Sequence, residues 1–302
     1  MTSKFRNILM TVLMFWASGT VFAQDDEPER SFEIFVPDDL PAEEAVPLLI
    51  VLHGASGNGA GMESLTGFSD IAAKEGFIVV YPDGIAGGWD FGVGIQTQDG
   101  LIRVDDVAFL TGLIDEADAL HPVDRGRVFV TGFSDGATMT YILGCNRPDT
   151  FTAIAGVSAP LAMPIAELCD AGPPLSFLLI HGTHDPILRW DRHIAQNGQI
   201  IALSAPESAA FWIGHNGCDA DALELIEAPD VDTEDDSIVR IIRSEGCEDD
   251  TAVIFYGVEG GGHTWPGHPF DPSVPIELGP TNMDIDASRV IWEWFAERPS
   301  VD

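Results

Sequence analysis

FVTGFSDGATM, Phe129 to Met139, places a serine between two glycines where an apolar run ends and a helical one begins. Phe129 to Thr131 close a β-branched, apolar segment that reads as a buried strand, and GATMTYILGC, from Gly136, has the apolar spacing of a helix. Gly132-Phe133-Ser134-Asp135-Gly136 fits the pattern G-x-S-x-G. A serine on a sharp strand-to-helix turn is held in a strained backbone conformation, and side chains at the flanking glycines would collide with neighbouring chain. The turn lifts the hydroxyl clear of the sheet and sets it against the free N–H groups of the helix N-terminus. Ser134 is therefore the candidate nucleophile.

Strand and helix patterns alternate on either side of this turn. SFEIFVP reads as an edge strand stopped by Pro37, and PLLIVLHG as a strand buried on both faces. SLTGFSDIAAKEG predicts one helix ended by Gly76. FIVVYPDG, RVFVTG, FTAIAGVSA, LSFLLIHG and TAVIFYGVE read as strands. DDVAFLTGLIDEADALH, with Asp105 as its cap, ESAAFWIGHNGC and DIDASRVIWEWFAE read as helices. This alternation implies an α/β fold with a mainly parallel sheet and helices on both faces. Ligands of such sheets bind beyond the carboxyl ends of the strands. The loops at 53–61, 131–136, 181–186 and 259–265 thus become the candidate site.

A serine hydroxyl needs a base, and the base needs an orienting acid. Asp185 follows the strand LLIHG and His263 lies in the glycine-rich loop after the last strand, giving the chain order Ser, Asp, His. His181 and His184 precede the acid, so they break that order. His53 opens the loop HGASGNGAG and reads as a brace for it, while His121, His215 and His268 lack catalytic context. The backbone N–H groups of Ala55 and Asp135 are the expected oxyanion donors. Trp89 and Trp265 flank the site loops and are read as an aromatic wall for substrate, with ordinary packing as the alternative.

The first residues have the form of a secretory signal: Lys4 and Arg6, an apolar run from Ile8 to Trp16, and the small-residue site Val21-Phe22-Ala23. The run is shorter than the roughly 20 apolar residues that span a bilayer. Residues 1–23 are thus expected to be cleaved and residues 24–302 to form a single catalytic domain, extracellular or periplasmic, with no membrane contact after cleavage. The chain carries 14 Lys and Arg against 49 Asp and Glu, a net charge of −35, which repels nucleic acid and anionic membrane faces. Its four cysteines form no C-x-x-C pair. In an exported chain they imply two disulfides, and of the three connectivities Cys145–Cys169 with Cys218–Cys247 closes the shorter loops. The acidic run Asp230 to Asp236 lacks the turn glycine and distal glutamate of a calcium loop. No metal and no organic cofactor are expected.

The combination LHGASGN, YPDG, DDVAFLTGLID, VTGFSDGATMTY, IHGTHDP, NGC and EGGGHTWPG resembles the secreted polyhydroxybutyrate depolymerase and feruloyl esterase family, α/β-hydrolases related to family 1 carbohydrate esterases. The resemblance covers residues 33–297. It implies the α/β-hydrolase fold, Ser134, Asp185 and His263 as the triad, and esters as substrates: hydroxyalkanoate oligomers, or aryl and acetyl esters of plant polysaccharide. It agrees with pairing Cys218 to Cys247. In one departure, many members carry a bulkier residue or a cysteine where Ala55 stands. The expected function is an exported serine esterase working through an acyl-enzyme. A prolyl-oligopeptidase-like peptidase, a cutinase-like polyesterase and a catalytically silent secreted binding protein are the other readings.

Overall fold

Val46–Leu52 is a seven-residue apolar run whose members alternate between two hydrophobic layers: Leu48, Ile50 and Leu52 on one side, Leu49 and Val51 on the other. Such a strand is stable only at the centre of a sheet covered on both faces. That is its position in the computed structural model, which describes residues 30–194, 199–270 and 276–300. The expected signal segment lies outside the described residues. Nine strands form the main sheet: β1 (Phe32–Phe35), β2 (Val46–Leu52), β3 (Ile78–Pro82), β4 (Val123–Phe133), β5 (Ala153–Val157), β6 (Ser176–Gly182), β7 (Glu224–Glu227), β8 (Ile238–Ser244) and β9 (Val253–Glu259). Their order is β1-β3-β2-β4-β5-β6-β9-β8-β7. The six strands from β3 to β9 run parallel; β1 pairs antiparallel with β3 at one edge, and at the other β8 pairs antiparallel with β9 and β7 with β8.

Among the described residues seven α-helices cover the sheet: α1 (Gly59–Thr66), α2 (Phe68–Glu75), α3 (Asp106–Asp118), α4 (Asp135–Asn146), α5 (Met163–Cys169), α6 (Ala205–His215) and α7 (Ala287–Ala296). Leu110, Ile114, Met139, Leu143 and Trp212 of α3, α4 and α6 pack on one face, and Met62, Phe68, Ile71, Trp292 and Phe295 of α1, α2 and α7 on the other. Fully burying one such side chain contributes about 1.5–3 kcal/mol. Asp105 caps α3 as its sequence predicts, its side chain accepting from the Ala108 amide at 2.8 Å.

One sequence expectation is corrected. SLTGFSDIAAKEG is the end of α1 and the whole of α2, not a single helix. Gly67 adopts φ +61, ends α1 by donating its N–H to the Glu63 carbonyl, and begins α2. A left-handed glycine between two apolar stretches breaks the helix even though the apolar spacing continues. Two disulfides are present, Cys145–Cys169 between the ends of α4 and α5 and Cys218–Cys247 between the segments after α6 and β8.

The register positions the site. Leu52 pairs with Gly132, Phe133 with Val157, Val157 with Ile180, and Gly182 with Val258. The carboxyl ends of five neighbouring parallel strands therefore finish side by side, and their loops meet on one rim of the sheet.

Candidate active site

Ser134 sits at this rim with φ 54° and ψ −117°, as the N-cap of α4. Non-glycine residues in such regions cost on the order of 1–3 kcal/mol and persist only where the surroundings fix them. Two hydrogen bonds do so here. The Ser134 N–H donates to the Val157 carbonyl at 2.9 Å, and the Ser134 carbonyl accepts from the Thr138 N–H at 3.1 Å. A Cβ on Gly132 would lie 2.3 Å from the Gly136 backbone, and one on Gly136 would lie 2.3 Å from the Leu52 carbonyl oxygen. Both contacts are with backbone, which has nowhere to move, so the turn requires glycine on both sides of the Phe-Ser-Asp triplet.

Asp185 and His263 come from the loops after β6 and β9 and meet at 2.7 Å, His263 Nδ1 to Asp185 Oδ2, with both side chains buried. An ionised carboxylate only accepts, so Nδ1 carries the proton and Nε2 keeps its lone pair. The Ile187 and Leu188 amides each donate to Asp185 Oδ1 at 2.8 Å, which fixes the carboxylate plane. The histidine loop is pinned by the His263 N–H on the Leu278 carbonyl (2.6 Å) and the Gly262 N–H on the Pro280 carbonyl (2.7 Å). The His263 ring packs 4.9 Å from that of Phe133, the residue before Ser134. The structure thus brings the three sequence-predicted side chains to one rim.

The neighbouring histidines have other duties. His181 Nε2 lies 2.9 Å from the Leu188 carbonyl and 3.9 Å from Asp185 Oδ2, and burial pushes its pKa down to about 4. His184 is exposed. His53 accepts the Gly84 N–H at Nε2 (2.9 Å) and faces its neighbour's carbonyl, Gly54 O, with Nδ1 (2.8 Å), so it is a neutral brace of its loop, and burial lowers its pKa. Gly54 lies against Ser134: a Cβ there would stand 3.3 Å from Ser134 Cβ. Ala55 follows, exposed at the mouth of the site, and Asp135 is the first residue of α4. Among the described residues neither the Ala55 nor the Asp135 N–H has a protein acceptor. Burial raises the Asp135 carboxyl pKa, with His263 and His53 opposing the shift.

Neither tryptophan forms the expected aromatic wall. Trp265 is 0% exposed, donates Nε1–H to Ser288 Oγ at 2.9 Å and packs edge-on to Phe68 and Phe133. Trp89 is 4% exposed, donates to the His53 carbonyl at 2.9 Å and lies 4.7 Å from the His53 ring. Side chains closed off in this way cannot stack on a substrate. They hold the loops on which the site depends. The open aromatic surface is instead Phe270, 5.3 Å from Phe133. With Met62, Leu65 and the 53–58 loop, these two rings line a cleft of about 580 Å³. Phe133 was visible in the sequence as the second residue of the serine motif. Phe270 carried no signal, because it reaches the cleft only through the path of the loop after His263.

Residues 30–166 match the family model described as Esterase PHB depolymerase. NocK of Nocardia uniformis subsp. tsuyamanensis, an esterase by inference, is 28% identical over 86% of this chain and 77% of its own. Feruloyl esterase C of Emericella nidulans is 26% identical over 88% of this chain and 83% of its own. Among solved structures, an acetyl xylan esterase from Aspergillus awamori superposes with a TM-score of 0.57 at 20% identity, covering 88% of this chain and 94% of that one, which is a likeness of fold. The fold and the relatives define an α/β-hydrolase. It is a carboxylic ester hydrolase of the serine type, similar to esterases over most of its length.

Proposed function

We propose that this protein is an exported esterase that releases aryl or acetyl groups from plant polysaccharide, with Ser134 as nucleophile, His263 as base and Asp185 as its orienting acid. The observation that carries this reading is the buried 2.7 Å Asp185–His263 pair beside a serine held at φ 54° between two obligatory glycines. Ser134 Oγ attacks the ester carbonyl while His263 Nε2 takes its proton. The Ala55 and Asp135 amides receive the negative charge of the tetrahedral intermediate, each donor contributing about 2.7–4 kcal/mol to the transition state. His263 then protonates the departing alcohol. Water, deprotonated by the same imidazole, attacks the acyl-serine and restores the enzyme. Asp185 stays ionised and holds the imidazolium.

The relatives named for feruloyl and acetyl xylan esters support polysaccharide-linked substrates, and the Phe133–Phe270 cleft supports a planar aromatic acyl group. The family model's description favours a second reading, hydroxyalkanoate oligomers. Two disulfides support an oxidising compartment, which agrees with cleavage after Ala23. No helix among the described residues is long and apolar enough to cross a membrane.

The test is hydrolysis of methyl ferulate, acetylated xylan and a 3-hydroxybutyrate trimer side by side. Ser134→Ala should abolish all three activities, and Asp185→Asn should lower kcat by about 10⁴-fold. Ferulate should be preferred, and Phe270→Ala should lower its kcat/KM by about 3- to 10-fold with little effect on acetyl esters. Preference for the trimer would move the function to polyester turnover.

A further inference from the structure

Ser158 follows β5, outside the loops that hold the triad. It is fully buried, yet its backbone is in the left-handed region at φ 59°, where a residue other than glycine, asparagine or aspartate is rare. Three hydrogen bonds explain why the conformation is kept. The carbonyl of Val157, one residue earlier, accepts the Ser134 N–H at 2.9 Å. The Ser158 N–H donates to the Ile180 carbonyl at 2.9 Å, on the strand that leads into the Asp185 loop. The Ser158 hydroxyl donates to the Thr264 carbonyl at 3.0 Å, immediately after His263. One dipeptide therefore bonds Ser134 itself, the residue after His263, and the strand that leads to Asp185.

The left-handed turn is what makes this geometry available. It redirects the chain after β5, leaving the Val157 carbonyl toward the serine turn and the Ser158 side chain toward the histidine loop. Among the described residues the Thr264 carbonyl has no other hydrogen-bond partner, whereas the amides of Gly262 and His263 are already tied to the 278–280 segment. The histidine loop is thus fixed from one side through its N–H groups and from the other through Ser158.

We propose that Ser158 is a positioning residue for catalysis, whose hydroxyl sets the His263 loop in register with the Ser134 turn. The inference rests on the triad reading above. Misplacing a reacting group by about 1 Å can cost 100-fold in rate. Loss of the hydroxyl should therefore lower kcat while leaving the ester-binding cleft, and so KM, alone.

The test compares Ser158→Ala and Ser158→Gly with wild type, with Ser208→Ala as a control that removes a buried hydroxyl bonded to the Leu161 amide and to none of the triad loops. Both Ser158 variants should lower kcat by about 10- to 100-fold with KM within twofold, and slow labelling of Ser134 by a fluorophosphonate in parallel. Glycine relieves the left-handed backbone, so Ser158→Gly should melt about 2–4 °C above Ser158→Ala. A Ser158→Gly variant that melts above Ser158→Ala yet loses as much turnover cannot be explained by a structural role alone. Ser208→Ala should keep wild-type kcat. Wild-type kcat in both Ser158 variants, or a loss carried by KM, would overturn the proposal while leaving the triad standing. Full activity in Ser134→Ala would overturn both.

Discussion

At the scale of single residues the site is a problem of backbone clearance. Gly132 and Gly136 each face backbone atoms at 2.3 Å from where a Cβ would stand, so Gly132→Ala and Gly136→Ala must either displace β2 and α4 or fail to fold. We expect little soluble protein and no fluorophosphonate labelling from either variant. Gly112, in the middle of α3 with nothing within 4 Å of its Cβ position, is the contrast. Gly112→Ala should stabilise the protein by about 0.5–1 kcal/mol, because alanine loses less backbone entropy on entering a helix. Equal outcomes at the three positions, measured by yield and melting temperature, would show that clearance does not govern the turn. This requirement is why Ser134 was legible in the sequence: a steric need imposes a fixed spacing. Asp185 and His263 were legible because each follows a recognisable strand in the right order. Ser158 was not, since its role comes from the register of β4, β5 and β6, which no local pattern encodes. The two tryptophans were misread because strand-end position does not say which way a side chain turns.

At the scale of elements, the parallel strands were legible as continuous apolar runs and β1 as an alternating edge strand, while the opposite edge, β8 and β7, was not. β7 is exposed along its whole length and mixes Glu224 and Glu227 with Leu225 and Ile226, so it lacks the one-sided alternation that marks a half-buried strand. It exists because β8 offers it a ladder: Leu225 pairs with Ile242 and Ile226 with Ile241. α5 is likewise short, with no side-chain cap, and is held from outside by the Cys145–Cys169 bridge to the end of α4. Because Ser134 caps the start of α4, this bridge anchors the far end of the helix that carries the candidate nucleophile. Replacing both cysteines by serine should cost about 3 kcal/mol for a closed loop of 24 residues, read as a lower denaturant midpoint. The kcat of the folded fraction should change little, since the fixed end of α4 at the rim is held by Val157. A large fall in kcat at unchanged stability would mean that the bridge sets the active site rather than the fold.

For the whole molecule, the balance of charge makes acid the informative perturbation. A net charge of −35 is self-repulsive, and lowering the pH relieves part of it, so acid should stabilise the surface while it attacks the interior. The interior effect has a definite window. His181 is buried against Asp185, with His263 and His193 as further titratable neighbours, and burial pushes its pKa down to about 4 against about 6.5 in the unfolded chain. Between those values the unfolded chain binds a proton that the folded protein refuses. Stability from this group is therefore full above about pH 6.5 and falls as the pH drops toward 4, by on the order of 3 kcal/mol in total. His53, also lowered by burial, acts in the same direction. Asp135, whose pKa is raised, acts in the opposite one, binding its proton first in the folded state. In high salt the surface repulsion is screened and the interior groups dominate. Denaturant titrations at pH 7, 5.5 and 4.5 in such salt should show wild-type stability falling with pH. In His181→Gln, which has no proton to refuse, the same fall should be markedly smaller. An unchanged slope in the variant would place the acid sensitivity elsewhere in the fold.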